Sequence, residues 1–401
     1  MTVRFVHITF ERLVDRIRGT KQLNFGERIA STNLNFLLGS GASRPLLGTL
    51  GQIETLLTIA EESGAADDLV ARRFLQHEFF RSAIGPVLKI LVPSKFLKDP
   101  TGGAYVRFFR ALQALLHRRD SATEGRRARI FTTNYDPLTE LALEAVGMDY
   151  EDGFAGRLSP KFSMGNYGSI RYVRSQYFET TNESPTVDVH KLHGSLTWAL
   201  SDGPNSEITF DGSLNGVRRV GDALADNPVG RFKTLNGRAY RSILAACTKA
   251  AVKFDTAPFG SAYDELAIVN PSSAKYASTV LTRAYYDQLR SLSNELERTN
   301  TTLLCIGFSF EDLHIREIVV RAADSNPTLT VIVFAHDAPA AIRLEELLEP
   351  PDRRNLNVIV IEPDEVADAA GNLSSLPWTL LTLTERVLEP AISRRAQVAK
   401  R

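Results

Sequence analysis

Seven short apolar runs, at 34–38, 129–133, 187–192, 266–270, 302–307, 329–335 and 357–362, recur along the chain with helical segments between them. Most are continuously apolar instead of alternating, which is the pattern of strands buried on both faces of a parallel sheet. The segments between them read as helices that cover such a sheet. Ile53, Leu56, Leu57 and Ala60 repeat at i, i+3, i+4 and i+7, and Tyr285, Leu289, Leu292 and Leu296 mark one face of the segment before Thr302. The pattern predicts an α/β fold with a doubly wound, mostly parallel, Rossmann-like sheet. Two stretches break the rhythm: 151–185, rich in Gly, Ser and Tyr, and 201–256, with Gly, Asn and Asp scattered through it. Both are expected to be insertions that build a smaller lobe beside the sheet.

The first run leads into Gly39-Ser40-Gly41-Ala42-Ser43. A strand, a glycine-rich turn and a helix in succession aim backbone N–H groups and a helix N-terminus at an anion, so the loop reads as a phosphate cradle. Its glycines allow positive φ and close approach, and Ser40 and Ser43 add hydroxyls. A strand-to-helix turn that holds no ligand would use the same residues, and the loop alone leaves both readings open. It is neither GxGxxG nor a Walker A sequence, so ATP hydrolysis is not expected. Three more runs end in polar residues where open sheets bind ligands: Thr132-Thr133-Asn134-Tyr135-Asp136, Lys191-Leu192-His193-Gly194-Ser195, and Gly307-Phe308-Ser309-Phe310 with Asp312. Asn134 and Asp136 would equally serve to cap a helix beginning near Pro137. His193 in isolation reads as a hydrogen-bonded structural residue, as do His77, His190 and His314.

The setting is narrowed by charge and cysteine usage. The 401 residues carry 47 Lys+Arg against 47 Asp+Glu, so no global field draws the chain to nucleic acid or an anionic membrane. Only Cys247 and Cys305 are present, too few for a disulfide framework or a structural zinc site, and no metal is expected. No run of roughly 18 apolar residues occurs, so the expectation is a cytoplasmic protein with no membrane partner. A basic stretch comprising His117, Arg118, Arg119, Arg126, Arg127 and Arg129 is read as solvated helix ends or a partner surface, with direct nucleic-acid binding left open.

The motifs GSGAS, TTNYD, HKLHGS and IGFSFED, in this order from about Leu34 to about Ala370, resemble the sirtuin family, and particularly its bacterial NAD-consuming branch in anti-phage defence. The resemblance implies that Gly39, Ser40, Gly41, Ala42 and Ser43 hold the diphosphate of NAD. It places Asn134 and Asp136 at the nicotinamide ribose and carboxamide, His193 at the ribose, and Gly307 and Ser309 at phosphate and adenine ribose, with Thr133 and Phe308 among the cofactor-binding residues. Asn134, His193 and Asp136 are the implied catalytic set. These residue types suit the chemistry. Nicotinamide departs from a cationic pyridinium as a neutral molecule, so no acid is required, and an imidazole and an amide suffice to orient the ribose or a water.

Departures from the deacylating sirtuins carry equal weight. The interval after the histidine motif holds only Cys247, so their zinc lobe is missing; Ser40 replaces an alanine, and 44–50 lacks their Pro-Asp-Phe-Arg sequence. Water then becomes the expected acceptor, and the expected activity is NAD hydrolysis to ADP-ribose and nicotinamide, with NAD as substrate. A module that senses NAD or ADP-ribose within a defence complex is the alternative, with deacylation or ADP-ribosyl transfer behind it. The expected organisation is an N-terminal helical extension at 1–33, a sirtuin-like domain at 34–375, and a tail at 376–401. Phe10, Leu13, Val14 and Ile17 form one side of a predicted helix, and both ends read equally as core packing or as a partner contact. A homo-oligomer paired with a separate HerA-like translocase ATPase follows from the resemblance.

Overall fold

The computed structural model describes residues 31–48, 66–119, 125–177, 179–201, 207–226, 240–251, 257–269, 279–348, 357–367 and 373–392, with positions 9, 10, 29, 53, 56, 57, 59 and 60 besides. Its centre is a sheet of seven strands: β1 (Asn33–Leu38), β2 (Arg127–Thr132), β3 (Asp149–Glu151), β4 (Thr186–Lys191), β5 (Thr301–Ile306), β6 (Leu329–Phe334) and β7 (Val358–Ile361). They lie in the order β7-β6-β5-β1-β2-β4-β3, and every neighbouring pair is parallel. The order reverses at β1, whose chain continues to β2 on one side while β5 arrives on the other.

Six of the seven apolar runs become strands of this sheet. The seventh, at 266–270, does not: Ile268 makes only an isolated bridge with Gly194. Leu266 through Val269 are apolar because they are buried under the loop that follows β4, and a short buried run reads the same whether it is a strand or a covered loop. The strand that the pattern missed is β3, three half-buried and mostly polar residues at the sheet edge.

Alternate residues of single strands enter two separate cores, which is what makes the runs continuously apolar. Leu34, Phe36, Leu38, Leu304 and Ile306 join a cluster with Phe108, Leu112 and Leu143, on α1 (Pro100–His117) and α2 (Leu138–Val146). Leu37, Leu303 and Cys305 face the opposite cluster with Leu289, Leu292, Ile315 and Val319, on α3 (Thr279–Leu296) and α4 (Leu313–Ser325). The fold is therefore doubly wound α/β. Helix α1 illustrates why such segments form. Asp99 caps it by accepting from the Thr101 and Gly102 N–H groups, Pro100 fills its first turn, and Tyr105, Phe108, Phe109, Leu112, Leu115 and Leu116 give it one apolar stripe. Phe108 meets Phe36 of β1 edge to face at 5.1 Å. The predicted face of Ile53, Leu56, Leu57 and Ala60 is likewise helical and buried.

The second interrupting stretch supplies the helices Asn215–Asp226 and Tyr240–Ala251, whose Val217, Val220 and Cys247 join the main core and not a separate lobe. A four-stranded antiparallel sheet forms from Phe154–Ala155, Lys161–Phe162, Ile208–Phe210 and Trp198–Leu200, in that order, the last lying between the two interrupting stretches. Phe154, Phe162 and Trp198 pack its one face, with Phe162 and Trp198 ring centres 4.8 Å apart. A separate hairpin pairs Tyr172–Arg174 with Thr181–Glu183 and leaves Tyr172, Val173 and Tyr177 exposed.

Both ends of the chain contribute to one core. Phe10 packs edge to face on Trp378 at 5.5 Å, and Arg386 lies over both rings while pairing with Asp364. Leu380, Leu383, Val387, Leu388 and Ala391 are buried in the same cluster. For Phe10 and for the tail as far as 392, core packing is the outcome; Leu13, Val14, Ile17 and 393–401 lie outside the described residues. The basic stretch before β2 is also drawn inward. Arg119 is buried and donates to the Ile29, Thr32, Gly125 and Arg127 carbonyls, while Arg127 and Arg129 pair with the buried Asp188. The expectation of solvated helix ends fails for these guanidiniums, because strand starts leave carbonyls that a buried arginine satisfies. No helix among the described residues is long and apolar enough to cross a membrane.

Candidate active site at the carboxyl edge of the sheet

The four polar motifs emerge at the carboxyl ends of β1, β2, β4 and β5, and the reversal of strand order at β1 places the first and fourth side by side. Their loops are bonded to each other. The Gly39 N–H donates to the Ile306 carbonyl at 3.1 Å and the Gly41 N–H to the Gly307 carbonyl at 2.9 Å. A Cβ on Gly39 would stand 2.3 Å from the Gly307 oxygen, and one on Gly307, whose φ is +66°, would stand 2.3 Å from the Ala42 nitrogen. Glycine at 39, 41 and 307 is thus required by the approach of one loop to the other. Ser40 through Ser43 form a single tight turn in which the Ala42 N–H donates to Gly39. The Gly39, Gly41 and Ala42 amides are engaged within the protein, so the expected cradle of amides is narrower than the sequence suggested. Ser40 and Ser309 are exposed beside it, with Gly307 and Phe308 half-buried.

Ser43, only 2% exposed, is the centre of a polar cluster. Its hydroxyl donates to Asp136 Oδ2 at 2.9 Å, receives the Asn134 Nδ2–H at 3.0 Å, and lies 3.1 Å from the Tyr105 hydroxyl. Asp136 uses its other oxygen to accept from the Leu138 N–H at 3.1 Å, the first N–H of α2, although the N-cap position itself falls on Pro137. Burial pushes its carboxyl above the usual range, with Lys191 and these hydrogen bonds opposing. The amide of Asn134 has one end occupied by Ser43. Its other end, Oδ1, is buried and has no hydrogen-bond partner among the described residues. Thr133 is half-buried, its N–H donating to the Leu38 carbonyl.

A second buried layer supports the first. Lys191, at the end of β4, donates to the Asp136 carbonyl and pairs with Glu140 Oε1 at 3.1 Å, and burial raises the Glu140 carboxyl as well. Tyr105, Lys191 and Glu140 were not assigned from sequence. Tyr105 sits in an apolar helical stripe and reads there as one more core aromatic, and its hydroxyl is held protonated by burial and by the Asp136 charge.

His193 belongs to a different group. Its carbonyl accepts from the Val269 N–H at 2.7 Å, fixing the HGS loop to 266–269, and Gly194 takes φ +81° where a Cβ would strike the Ala267 oxygen at 2.3 Å. The imidazole Nε2 stands 3.1 Å from Asp312 Oδ2. Nε2 is nevertheless buried without a formed hydrogen bond among the described residues, so the two groups meet within hydrogen-bonding distance but out of line. Tyr135 ties the two groups together: its carbonyl accepts from the Leu196 N–H at 2.9 Å and its hydroxyl donates to the Val269 carbonyl at 2.9 Å. The structure thus brings Ser43, Asn134 and Asp136 into direct contact, and seats His193 against Asp312 of the fourth motif.

The remaining histidines read as structural fit that reading at 77 and 190. His190 is stacked between Phe131 and Tyr167, at 4.7 and 4.1 Å, and burial lowers it to about 4. His77 is buried and also lowered to about 4. His314 instead lines a groove of about 1260 Å³ between α3, α4 and α5 (Ala338–Leu348), together with Tyr286, Arg290 and Arg316. None of the predicted site residues lines that groove, and convergence of buried polar atoms is the stronger sign of a site. Among the described residues no group of three or more His, Cys, Asp or Glu could hold a metal ion. No protein-family model and no curated protein matches this chain, so its chemistry has to be read from the residues themselves.

Proposed function

We propose that the chain is an NAD glycohydrolase, with Asn134 and His193 as its catalytic residues and Asp136 as the carboxylate that, through Ser43, holds Asn134 to the fold. The observation that carries this reading is the buried, unpartnered Oδ1 of Asn134 beside a hydroxyl hub. An acceptor so placed needs a donor from a ligand, and a ribose hydroxyl or a water supplies one. In the reaction, the bond between ribose C1′ and the pyridinium nitrogen breaks, and its electron pair stays on nitrogen to give neutral nicotinamide. A water oxygen bonds to C1′ and its proton leaves through His193 to solvent, so NAD and water become ADP-ribose, nicotinamide and one proton. Asn134 orients that water or the ribose, the Ser40–Ser43 turn and the exposed Ser309 are set to meet phosphate, and no step calls for a metal.

Purified protein incubated with NAD and chromatographed for nicotinamide tests the proposal. Asn134→Ala and His193→Ala, both at loop positions after strands, are expected to fold and to cut cleavage by at least about 100-fold, the range general acid–base groups contribute. Full turnover in a folded His193→Ala protein would refute the assignment. Binding of NAD or ADP-ribose by calorimetry with no nicotinamide released would favour the sensing module instead. The biological reading rests on the motif resemblance: a cytoplasmic effector that depletes NAD in anti-phage defence, as a homo-oligomer controlled by a HerA-like ATPase. Light scattering that shows a monomer whose turnover no ATPase alters would remove that part alone.

A further inference from the structure

The geometry points to Asp312 as a positioning residue that fixes which nitrogen of His193 is available to a ligand. Its carboxylate is itself fixed, because Oδ1 caps α4 by accepting the Ile315 N–H at 3.2 Å, which aims Oδ2 at His193 Nε2. The two side chains are each only 15% exposed, and Nε2 is sealed from solvent. Among the described residues Tyr285 of α3 also approaches the ring, its ring centre 6.3 Å away; its phenol is held protonated by burial and by the Asp312 charge, so it brings no second charge. A carboxylate only accepts. The neutral ring therefore carries its proton on Nε2, facing Asp312, and keeps the lone pair on Nδ1. At 3.1 Å the pair lies within hydrogen-bonding distance, and a modest turn of the ring would align the N–H with Oδ2, since catalytic hydrogen bonds commonly tighten only in the substrate complex.

This reading deepens the NAD hydrolase proposal and rests on it for the role of His193. It makes Nδ1 the nitrogen that takes a proton, and it links that choice to the first turn of α4. A sharp consequence follows from the cap. In Asp312→Asn only the amide oxygen can accept from Ile315, so the amide NH₂ replaces Oδ2 and donates to Nε2. The ring is then forced into the opposite tautomer, with its proton on Nδ1. Asparagine is as good an N-cap as aspartate, so the helix survives.

The test is ¹⁵N spectroscopy of histidine-labelled protein at alkaline pH, with the His193 signals assigned by their loss in His193→Gln, alongside NAD cleavage by the same samples. Wild type should show the proton on Nε2 and Asp312→Asn the proton on Nδ1, with kcat reduced at least about 100-fold and KM within about twofold. Asp312→Ser, which keeps a capping oxygen but has nothing to face Nε2, should show a mixture of tautomers and an intermediate kcat. An unchanged tautomer in Asp312→Asn overturns the inference, and so does an inverted tautomer with undiminished kcat. A wild-type protein that releases no nicotinamide sinks the hydrolase reading, and the tautomer comparison then decides this one by itself.

Discussion

Ser43 has one hydroxyl proton and two lone pairs, and three neighbours meet them. As an ionised carboxylate Asp136 can only accept, so the Ser43 proton goes to its Oδ2, and both Tyr105 and Asn134 must donate to Ser43. This one-way chain sets the amide of Asn134 with its oxygen outward. Ser43→Ala would strand three buried polar groups at once, at about 1–3 kcal/mol each, whereas Tyr105→Phe removes one donor and should cost about 1 kcal/mol. Thermal denaturation should therefore rank Ser43→Ala well below Tyr105→Phe, and equal losses would mean that the hub is not shared in this way. The pH dependence of Asp136 gives an independent check. Its folded pKa is raised by burial, so its contribution to stability is full below the unfolded value of 3.8 and is lost as pH rises through the raised folded value. The stability of wild type relative to Asp136→Asn should grow as pH falls from 7 to 4. A shrinking difference would show that the Ser43 and Leu138 hydrogen bonds outweigh burial.

Between elements, what matters is how closely two loops can approach. The turn after β1 and the loop after β5 touch backbone to backbone at Gly39, Gly41 and Gly307. Gly307→Ala meets both a positive φ and a contact of 2.3 Å, and it should cost about 3 kcal/mol, the upper end for overpacking. Gly103, inside α1, has nothing within 4 Å of its added Cβ, so Gly103→Ala should instead stabilise by about 0.5–1 kcal/mol through helix propensity. Denaturant titration of the two variants checks both signs. The motifs were legible because strand ends and glycines leave marks in the sequence, but what the glycines serve was not: they read as room for a phosphate, and the neighbour they make room for is largely Gly307. Asp312 was visible only as part of a motif, since a cap and a contact to a residue 119 positions earlier, at His193, are set by packing.

Across the whole molecule, the sheet was readable because burial on both faces writes itself as unbroken apolar runs, as in 301–306 and 329–334. The edge strand Asp149–Glu151 escaped because an edge needs little apolar material, and 266–270 misled because a covered loop needs as much as a strand. Tyr105, Lys191 and Glu140 escaped because a single polar residue among apolar ones gives no hint of which polar partner lies across the sheet. The position of β1 has a further effect on how the chain is made. β1 pairs on one side with β2 but on the other with β5, Asn33 opposite Thr301, so its second partner is synthesised about 270 residues later. At about 5–20 residues per second that delay is on the order of ten to fifty seconds. Throughout it the nascent chain carries a hydrophobic strand with one side open, the kind of edge that recruits other chains. A ribosome that stalls before residue 301 would release an aggregation-prone product, so the expected cellular weakness of this protein is interrupted translation, and truncations ending before β5 should be recovered in the insoluble fraction.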